Sequence, residues 1–181
     1  MTGKFLISGT GARARVMEQE LLDRGMIPAG DGQADLIVLV NDADTRESIG
    51  GIRGDIDFAE LEAAYEKIAA GFLKEFTLLY GRLVPGGRIA LVTEEESSVT
   101  SSRCTGKFGT RMGLASCNMM MKLLFNELSQ HGYTFRVYAG KNLRYGAEYI
   151  VRDRSLDGDS VKHSDELKIR MRTDRAQDIA W

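Results

Sequence analysis

The chain has 181 residues, of which 43% are hydrophobic and 28% charged, and 24 Lys+Arg against 26 Asp+Glu give a formal net charge of −2. These values are typical of a single globular domain and exclude disordered and fibrous proteins. The near-neutral charge argues against nucleic-acid binding, and the two cysteines form no disulfide framework or metal-binding pair. Residues 1–11 read as a strand and a glycine turn, not as a signal peptide or membrane span, so we expect a cytoplasmic protein.

Apolar runs alternate with helical patterns along the chain. In chain order we predict a strand at 4–8, a helix at 13–24, a strand at 36–40, a helix at 57–83, a strand at 89–92, a loop at 94–109, a helix at 112–131, a strand at 135–138 and a helix at 147–151. This alternation predicts an α/β fold with a parallel sheet and helices on both faces. We expect one domain over residues 1–152 and a charged C-terminal tail over 153–181 that docks on a partner subunit.

Four segments resemble motifs of the short-chain dehydrogenase/reductase family, and they occur in the family's order. Residues 7–11 (Ile-Ser-Gly-Thr-Gly) are similar to the start of its cofactor turn, and residues 39–44 to its Leu-Val-Asn-Asn-Ala-Gly strand end. Residues 87–92 resemble the strand that carries its catalytic serine, and residues 110–119 a stretch that carries its Tyr and Lys. The resemblance implies a Rossmann-like sheet of a family that uses NAD(P).

The chain departs from this family at the glycines of the cofactor turn. Three glycines let the backbone approach the dinucleotide pyrophosphate, but the second and third positions hold Arg13 and Arg15. Their side chains take up space that the phosphates would need, so we expect this chain to bind no cofactor. Two alternatives stay open, namely that both arginines are solvated or that they bind an anion, as in a stand-alone nucleotide sensor.

The catalytic positions of the family also differ. The resemblance places its serine at Glu94, its tyrosine at Thr110 and its lysine at Leu114. A threonine hydroxyl without a nearby cation cannot replace a phenol of lowered pKa, so we expect no catalytic residues and no metal site. Glu94 begins a run of three glutamates that reads as a solvated acidic loop, and an independent enzyme using Glu94 or Thr110 is the remaining alternative.

The chain is also short where the family places two strands and two helices. Only residues 25–35 separate the first predicted helix from the second buried strand. The missing elements would carry the adenosine half of the dinucleotide-binding sheet. We therefore predict a truncated Rossmann-like fold.

Two helices are more hydrophobic than a monomer requires. Ten of the fourteen residues at 112–125 are apolar, so this helix needs cover on a second side, either as one of a deeply buried helix pair within a single domain or at a contact with another subunit. The resemblance implies that the two long helices pair with another subunit, and it predicts a pseudoenzyme that joins a catalytic NAD-dependent dehydrogenase in a heterotetramer. This arrangement is similar to the two-subunit hydroxybenzylsuccinyl-CoA dehydrogenase of anaerobic toluene degradation, whose substrate is a hydroxyacyl-CoA alcohol. The predicted interface residues are Phe72, Leu73, Phe76, Tyr80, Met119, Met120, Leu123 and Trp181.

Overall fold

The structure, a computed structural model, describes residues 3–9, 11–41, 47, 56–99, 105–153, 170–172 and 178–179. These residues form one sheet of seven strands in the order β2-β1-β3-β4-β5-β6-β7. All neighbouring strands are parallel except β7, which runs antiparallel to β6. The strands are β1 Lys4–Ile7, β2 Ile27–Pro28, β3 Ala34–Val40, β4 Leu83–Thr93, β5 Thr134–Ala139, β6 Arg170–Arg172 and β7 Asp178–Ile179.

Four helices cover the two faces of the sheet. They are α1 Ala12–Asp23, α2 Phe58–Tyr80, α3 Phe108–Leu128 and α4 Leu143–Asp153. Helices α2 and α3 lie on one face and share a core with inward residues of β3, β4 and β5. Helices α1 and α4 lie on the other face and share a second core with β1, β3 and β4. Because β3 and the end of β4 are buried on both faces, they read as continuous apolar runs, and the predicted α/β sheet is confirmed.

The sheet is short on the side of β1 that lies away from β3. Among the described residues, that side holds only the two-residue strand β2. No helix stands between β2 and β3, because residues 29–33 form a turn. This is the truncated Rossmann-type sheet that the short segment at residues 25–35 predicts.

Three helix predictions need correction. The helix predicted over 57–83 ends at Tyr80, because Leu83 already pairs with Ala34 as the first residue of β4. Helix α1 buries Ala14, Met17 and Leu21, whereas Val16 and Leu22, which the pattern also placed on the apolar side, are exposed. The third correction is at α3, which begins at Phe108, four residues before the predicted start.

The late prediction for α3 has a local cause. Its first turn is preceded by Lys107, which has a left-handed backbone (φ 52°) and gives no side-chain cap. The usual Ser, Thr, Asp or Asn signal for a helix start is therefore absent from the sequence. By contrast, Asp57 caps α2 by accepting hydrogen bonds from the N–H groups of Ala59 (2.9 Å) and Glu60 (3.1 Å).

The predicted C-terminal tail contributes to the chain's own sheet. Residues 170–172 form β6, which extends the parallel sheet beyond β5, and residues 178–179 form β7 at its edge. Part of the predicted tail therefore belongs to this chain's own sheet, and its docking on a partner stays a prediction. Of the helices in the described ranges, none has both the length and the hydropathy that a membrane crossing needs.

Candidate functional site

The strand order places a crevice at the carboxyl ends of β1, β3, β4 and β5. From β1 the chain runs through α1 to β2 on one side, whereas β3 lies on the other side of β1, and ligands of open α/β sheets bind at such a reversal. The strand ends bring together Ser8, Asn41, Thr93 and Gly140. Their spacing is fixed by hydrogen bonds from the amide of Asn41 to the hydroxyl of Thr93 (3.2 Å) and from the N–H of Gly140 to the carbonyl of Thr93 (3.0 Å).

The turn between β1 and α1 requires a glycine at one position. Gly9 has a φ of +93°, and a Cβ there would lie 3.3 Å from the Cβ of Ala14 and 3.4 Å from the carbonyl oxygen of Val40. The turn therefore brings the start of α1 close to the ends of β1 and β3, as the first glycine of the resemblance predicts.

Arg13 crosses this crevice from the first turn of α1. Its Nη1 donates to Oε1 of Glu94 at 3.2 Å, and its Nη2 lies 3.3 Å from the carbonyl oxygens of both Thr93 and Gly140. The side chains of Arg13 and Glu94 are 17% and 25% exposed. The guanidinium thus joins α1 to the ends of β4 and β5 and occupies the space between them.

This contact corrects two expectations about Arg13 and Glu94. Arg13 is neither a solvated side chain nor a free anion ligand, because its guanidinium is bonded to a carboxylate of the same chain. Glu94 is not part of a freely solvated acidic loop. Arg15 is exposed at the surface of α1, and Glu96 reaches Lys141 at 3.8 Å.

The family's tyrosine position is buried under a carboxylate that sequence reasoning missed. Glu47 accepts hydrogen bonds from the N–H groups of Gly109 (2.8 Å) and Thr110 (2.7 Å), and from the hydroxyl of Thr110 (2.8 Å). Glu47 and Thr110 are 8% and 5% exposed. Glu47 therefore caps α3 from 62 residues away in sequence, and no local pattern could reveal a cap at that distance.

The family's lysine position carries no charge. Leu114 lies on α3, one turn after Thr110, and is buried in the core that α3 shares with α2. Farther along α3, the amide of Asn118 donates to the carbonyl and the hydroxyl of Ser97 (both 3.1 Å), which fixes the turn after β4.

Within the described ranges, no three His, Cys, Asp or Glu side chains lie close enough together to hold a metal ion. The Thr110 hydroxyl donates to the Glu47 carboxylate, and both side chains are buried.

The described cysteine is a core residue. Cys117 is buried between α2 and α3, and its thiol approaches the carbonyl oxygen of Ile68 at 3.7 Å. Burial raises its pKa from 9.0 to about 12, although a hydrogen bond with Asn41 opposes the shift. A thiol this far from ionising is a poor nucleophile. Cys104 lies outside the described residues.

The predicted interface residues lie in three different environments. Leu73, Met119 and Leu123 are exposed on the outer sides of α2 and α3. Met120 and Tyr80 are partly buried, and the Tyr80 ring stacks on Phe76 with the centroids 5.3 Å apart. Phe72 and Phe76 are 5% exposed and belong to the core of this chain, so we remove both from the predicted interface. Trp181 lies outside the described residues.

Comparison with known proteins identifies the fold. No family model matches the sequence, and no curated protein matches it either. Solved structures do match. A chain assigned to the short-chain alcohol dehydrogenases from Burkholderia multivorans has a TM-score of 0.76 at 11% identity, with 98% of each chain covered. A carbonyl reductase from Pseudomonas aeruginosa PAO1, in complex with NADP, has a TM-score of 0.75 at 11% identity, with both chains fully covered (100%).

A longer relative matches over part of its length. For the carbonyl reductase Sniffer of Caenorhabditis elegans the TM-score is 0.59 at 12% identity, and the match covers 92% of this chain and 73% of that one. This chain therefore has the fold of short-chain dehydrogenases and reductases.

Proposed function

We propose that this chain is a non-catalytic member of the short-chain dehydrogenase/reductase family, a pseudoenzyme subunit that assembles with a catalytic NAD-dependent dehydrogenase. The observation that carries the proposal is the side chain of Arg13, which crosses the crevice at the ends of β4 and β5 and bonds Glu94 at the position of the family's serine. A dinucleotide at the carboxyl ends of the strands would compete with this guanidinium for the same space. In this assembly the chain would hold no NAD(P), and the cofactor would belong to the partner.

The catalytic position supports the same proposal. Thr110 donates its hydroxyl proton to Glu47 and is almost fully buried, so it has no open path to a substrate. Leu114 supplies no cation that would lower the pKa of a neighbouring hydroxyl. One structurally similar reductase was solved with NADP. In this chain, the Arg13–Glu94 contact lies beside the turn where the family would bind its cofactor. The Thr110–Glu47 contact lies at the position of the family's proton donor.

The outer face of α2 and α3 supports the assembly with a partner. Tyr65 and Leu73 on α2 and Met112, Met119 and Leu123 on α3 are between 39% and 61% exposed, and all are apolar or aromatic. Met112, Met119 and Leu123 recur at helical spacing on one side of α3. We call this surface the α2–α3 face. Exposed apolar side chains of this size on neighbouring helices are typical of a subunit interface.

The substrate of the assembly would be set by the partner. We propose a hydroxyacyl-CoA alcohol, of the class represented by 2-(hydroxybenzyl)succinyl-CoA. The reason is the resemblance to the two-subunit dehydrogenase of that substrate, which is likewise divided into a catalytic and a degenerate subunit. In such an assembly this chain would stabilise the partner and complete the rim of its site. It would not contribute a reacting group.

The test is cofactor binding by the isolated chain. We expect calorimetric titration with NAD(H) and NADP(H) to show no saturable binding, and alcohol oxidation to stay at background. The double substitution Arg13→Gly with Glu94→Ser removes the guanidinium and its partner and should expose the crevice, whereas Arg15→Gly is the matched control on the exposed side of α1. Saturable micromolar binding of a dinucleotide by the unmodified chain, or alcohol oxidation that Glu94→Gln abolishes, would contradict the proposal.

A further inference from the structure

A pocket of about 230 Å³ lies on α3, beside the residues that follow β4. One part of its lining comes from those residues and the other from a strip of α3. Because positions 115, 118, 119 and 122 are spaced three or four residues apart, they lie on one side of the helix. The lining, which is mostly apolar, consists of Ser97, Val99, Ala115, Asn118, Met119 and Lys122. We call it the Ser97 pocket.

The pocket is distinct from the crevice at the carboxyl ends of the strands. None of Arg13, Thr93 and Glu94 lines it. Asn118 is about two helical turns, or ~12 Å, along α3 from Thr110, the position of the family's tyrosine. A molecule in the pocket would therefore touch neither the Arg13 contact nor the position of the family's tyrosine.

One lining side chain is a buried hydroxyl. Ser97 is 1% exposed, and its carbonyl and hydroxyl oxygens both lie 3.1 Å from the amide nitrogen of Asn118. A carbonyl oxygen can only accept, so the amide of Asn118 must donate in this pair, and the Ser97 hydroxyl accepts from it. No residue in the described part of the chain accepts the proton of that hydroxyl. A buried donor without an acceptor is costly, which favours a ligand that supplies an oxygen.

The lining gives no reason for a charged ligand. It contains no carboxylate, and its single charged residue is Lys122. The ammonium nitrogen of Lys122 lies 4.7 Å from the centroid of the Phe125 ring, so this charge already has a partner within the chain. A neutral ligand fits a mostly apolar pocket of this kind, because burying an ion without a partner is expensive.

We propose that the Ser97 pocket binds a neutral molecule of one six-membered ring that carries a single acceptor oxygen, such as an ether or a carbonyl. The ring would pack on Val99, Ala115 and Met119, and the oxygen would accept the proton of the Ser97 hydroxyl. The size follows from the volume, because an apolar cavity of about 150 Å³ holds benzene and clefts for drug-sized molecules begin at about 300 Å³. The flexible side chain of Met119 can adapt to the ring.

The probe is anisole, titrated into the full chain and followed by the methyl NMR signals of Val99, Ala115 and Met119. Ethylbenzene has nearly the same shape without the oxygen, and benzoate adds a charge. We expect anisole to shift these signals saturably with a Kd on the order of 1 mM. Ethylbenzene should bind about two- to tenfold more weakly, because it cannot accept the hydroxyl proton, and benzoate should not bind saturably in this range.

Three variants separate binding from folding. Ser97→Ala removes the hydroxyl but leaves the carbonyl as an acceptor for Asn118, so it should weaken anisole about two- to tenfold and leave ethylbenzene unchanged. Ala115→Leu should fill the pocket and abolish binding of both probes, while thermal unfolding stays close to that of the unmodified chain, because leucine is a good helix former. The matched control Asn126→Leu, exposed on α3 outside the pocket, should bind both probes unchanged.

Four results would overturn the proposal. The first is no saturable shift of the methyl signals by anisole at concentrations up to about 10 mM. The second is a folded Ala115→Leu variant that still binds. The third is a Ser97→Ala variant that binds anisole and ethylbenzene in the same ratio as the unmodified chain, and the fourth is benzoate binding as tightly as anisole.

The site and the proposed function can fail separately. Met119 belongs both to the pocket and to the α2–α3 face, whereas Leu123 belongs to the face and does not line the pocket. Leu123→Glu should therefore release the dehydrogenase partner and leave anisole binding by the isolated chain unchanged. Loss of anisole binding in this variant would contradict the separation.

Discussion

At the scale of single residues, three charged side chains bond parts of this chain to one another at the carboxyl ends of the strands and at the start of α3. Arg13 stands between α1, β4 and β5, Glu94 holds its guanidinium, and Glu47 caps α3 at Thr110. Each is bonded within the chain, so each can stabilise the fold. Substituting any of the three should therefore lower the free energy of unfolding, which denaturation measures.

Removing the Arg13 side chain should destabilise the protein. Arg13→Ala breaks one ion pair and two contacts to carbonyl oxygens, and it leaves Glu94 partly buried without its partner. Since the pair is partly screened by solvent, we expect a loss of about 1–2 kcal/mol in the free energy of unfolding, measured by urea denaturation. The exposed control Arg15→Ala should change it by less than about 0.5 kcal/mol. Equal effects of the two substitutions would show that the Arg13 contacts contribute nothing specific.

Glu47 should be more sensitive, because its carboxylate is buried and accepts three hydrogen bonds. Glu47→Ala leaves two backbone N–H groups and a hydroxyl without this acceptor, and we expect a loss of about 2–3 kcal/mol in unfolding free energy. Thr110→Val removes the hydroxyl alone and should cost about 1 kcal/mol. Urea denaturation of both variants tests this order, and a reversed order would mean that the cap at the start of α3 is not the main role of Glu47.

The thiol of Cys117 gives a pH-dependent prediction. Its pKa in the folded chain is raised from 9.0 to about 12, mainly by burial, so folding favours the neutral thiol. The contribution of this neutral thiol to the free energy of unfolding is therefore fully present below about pH 9. It is lost as the pH rises toward 12. In a Cys104→Ser background at pH 8, the native protein should not react with a disulfide reagent, and one thiol should react after unfolding. Rapid reaction of the native protein would contradict this burial.

At the scale of elements, two glycines set how closely α2 and α3 approach. A Cβ on Gly113 would lie 2.9 Å from the Cβ of Ile68, and one on Gly109 would lie 2.8 Å from the carbonyl carbon of Leu61 and closer to its oxygen. Such distances cannot be relieved without moving the helices apart. The backbone of α3 therefore packs against the side chain of Ile68 at Gly113 and against the backbone of α2 at Gly109.

Alanine substitutions distinguish this packing from helix propensity. Because alanine is a better helix former than glycine by about 1 kcal/mol, propensity alone predicts that Gly113→Ala stabilises the chain. We expect the opposite, a loss of about 1–3 kcal/mol from overpacking against Ile68. The matched control is Gly71→Ala on α2, where the new Cβ meets nothing within 4 Å, and it should stabilise. Thermal and urea unfolding of both variants measure the signs.

The elements also show what the sequence could and could not predict. Apolar runs predicted β1, β3, β4 and β5, because buried parallel strands are apolar on both faces. The start of α3 could not be predicted, since its cap is the distant Glu47. Nor could β6, because Arg170–Arg172 has no apolar pattern and is a strand through its pairing with β5 and β7. In the site, the sequence identified Arg13 as an obstacle but gave no sign that Glu94 is its partner.

At the scale of the whole molecule, the α2–α3 face is an apolar surface that the described residues leave exposed. Both α2 and α3 use one side for the core, and their outer sides carry Tyr65, Leu73, Met112, Met119 and Leu123. In the opposite layer α1 and α4 contact each other, and Val16, Leu22 and Tyr145 are exposed there among polar side chains. An assembly through α2 and α3 would therefore bury apolar area without changing either core.

This separation between face and core makes the assembly testable by paired substitutions. Met119→Glu places a charge on the exposed face, so it should leave thermal unfolding within a few degrees of the unmodified chain while a dehydrogenase partner no longer co-purifies. Phe76→Glu places the same charge in the core and should unfold the chain, since an unpaired buried carboxylate costs several kcal/mol. Circular dichroism and light scattering after gel filtration separate loss of fold from loss of assembly. If Met119→Glu and Leu123→Glu both retained the partner, the interface would have to lie elsewhere on the molecule.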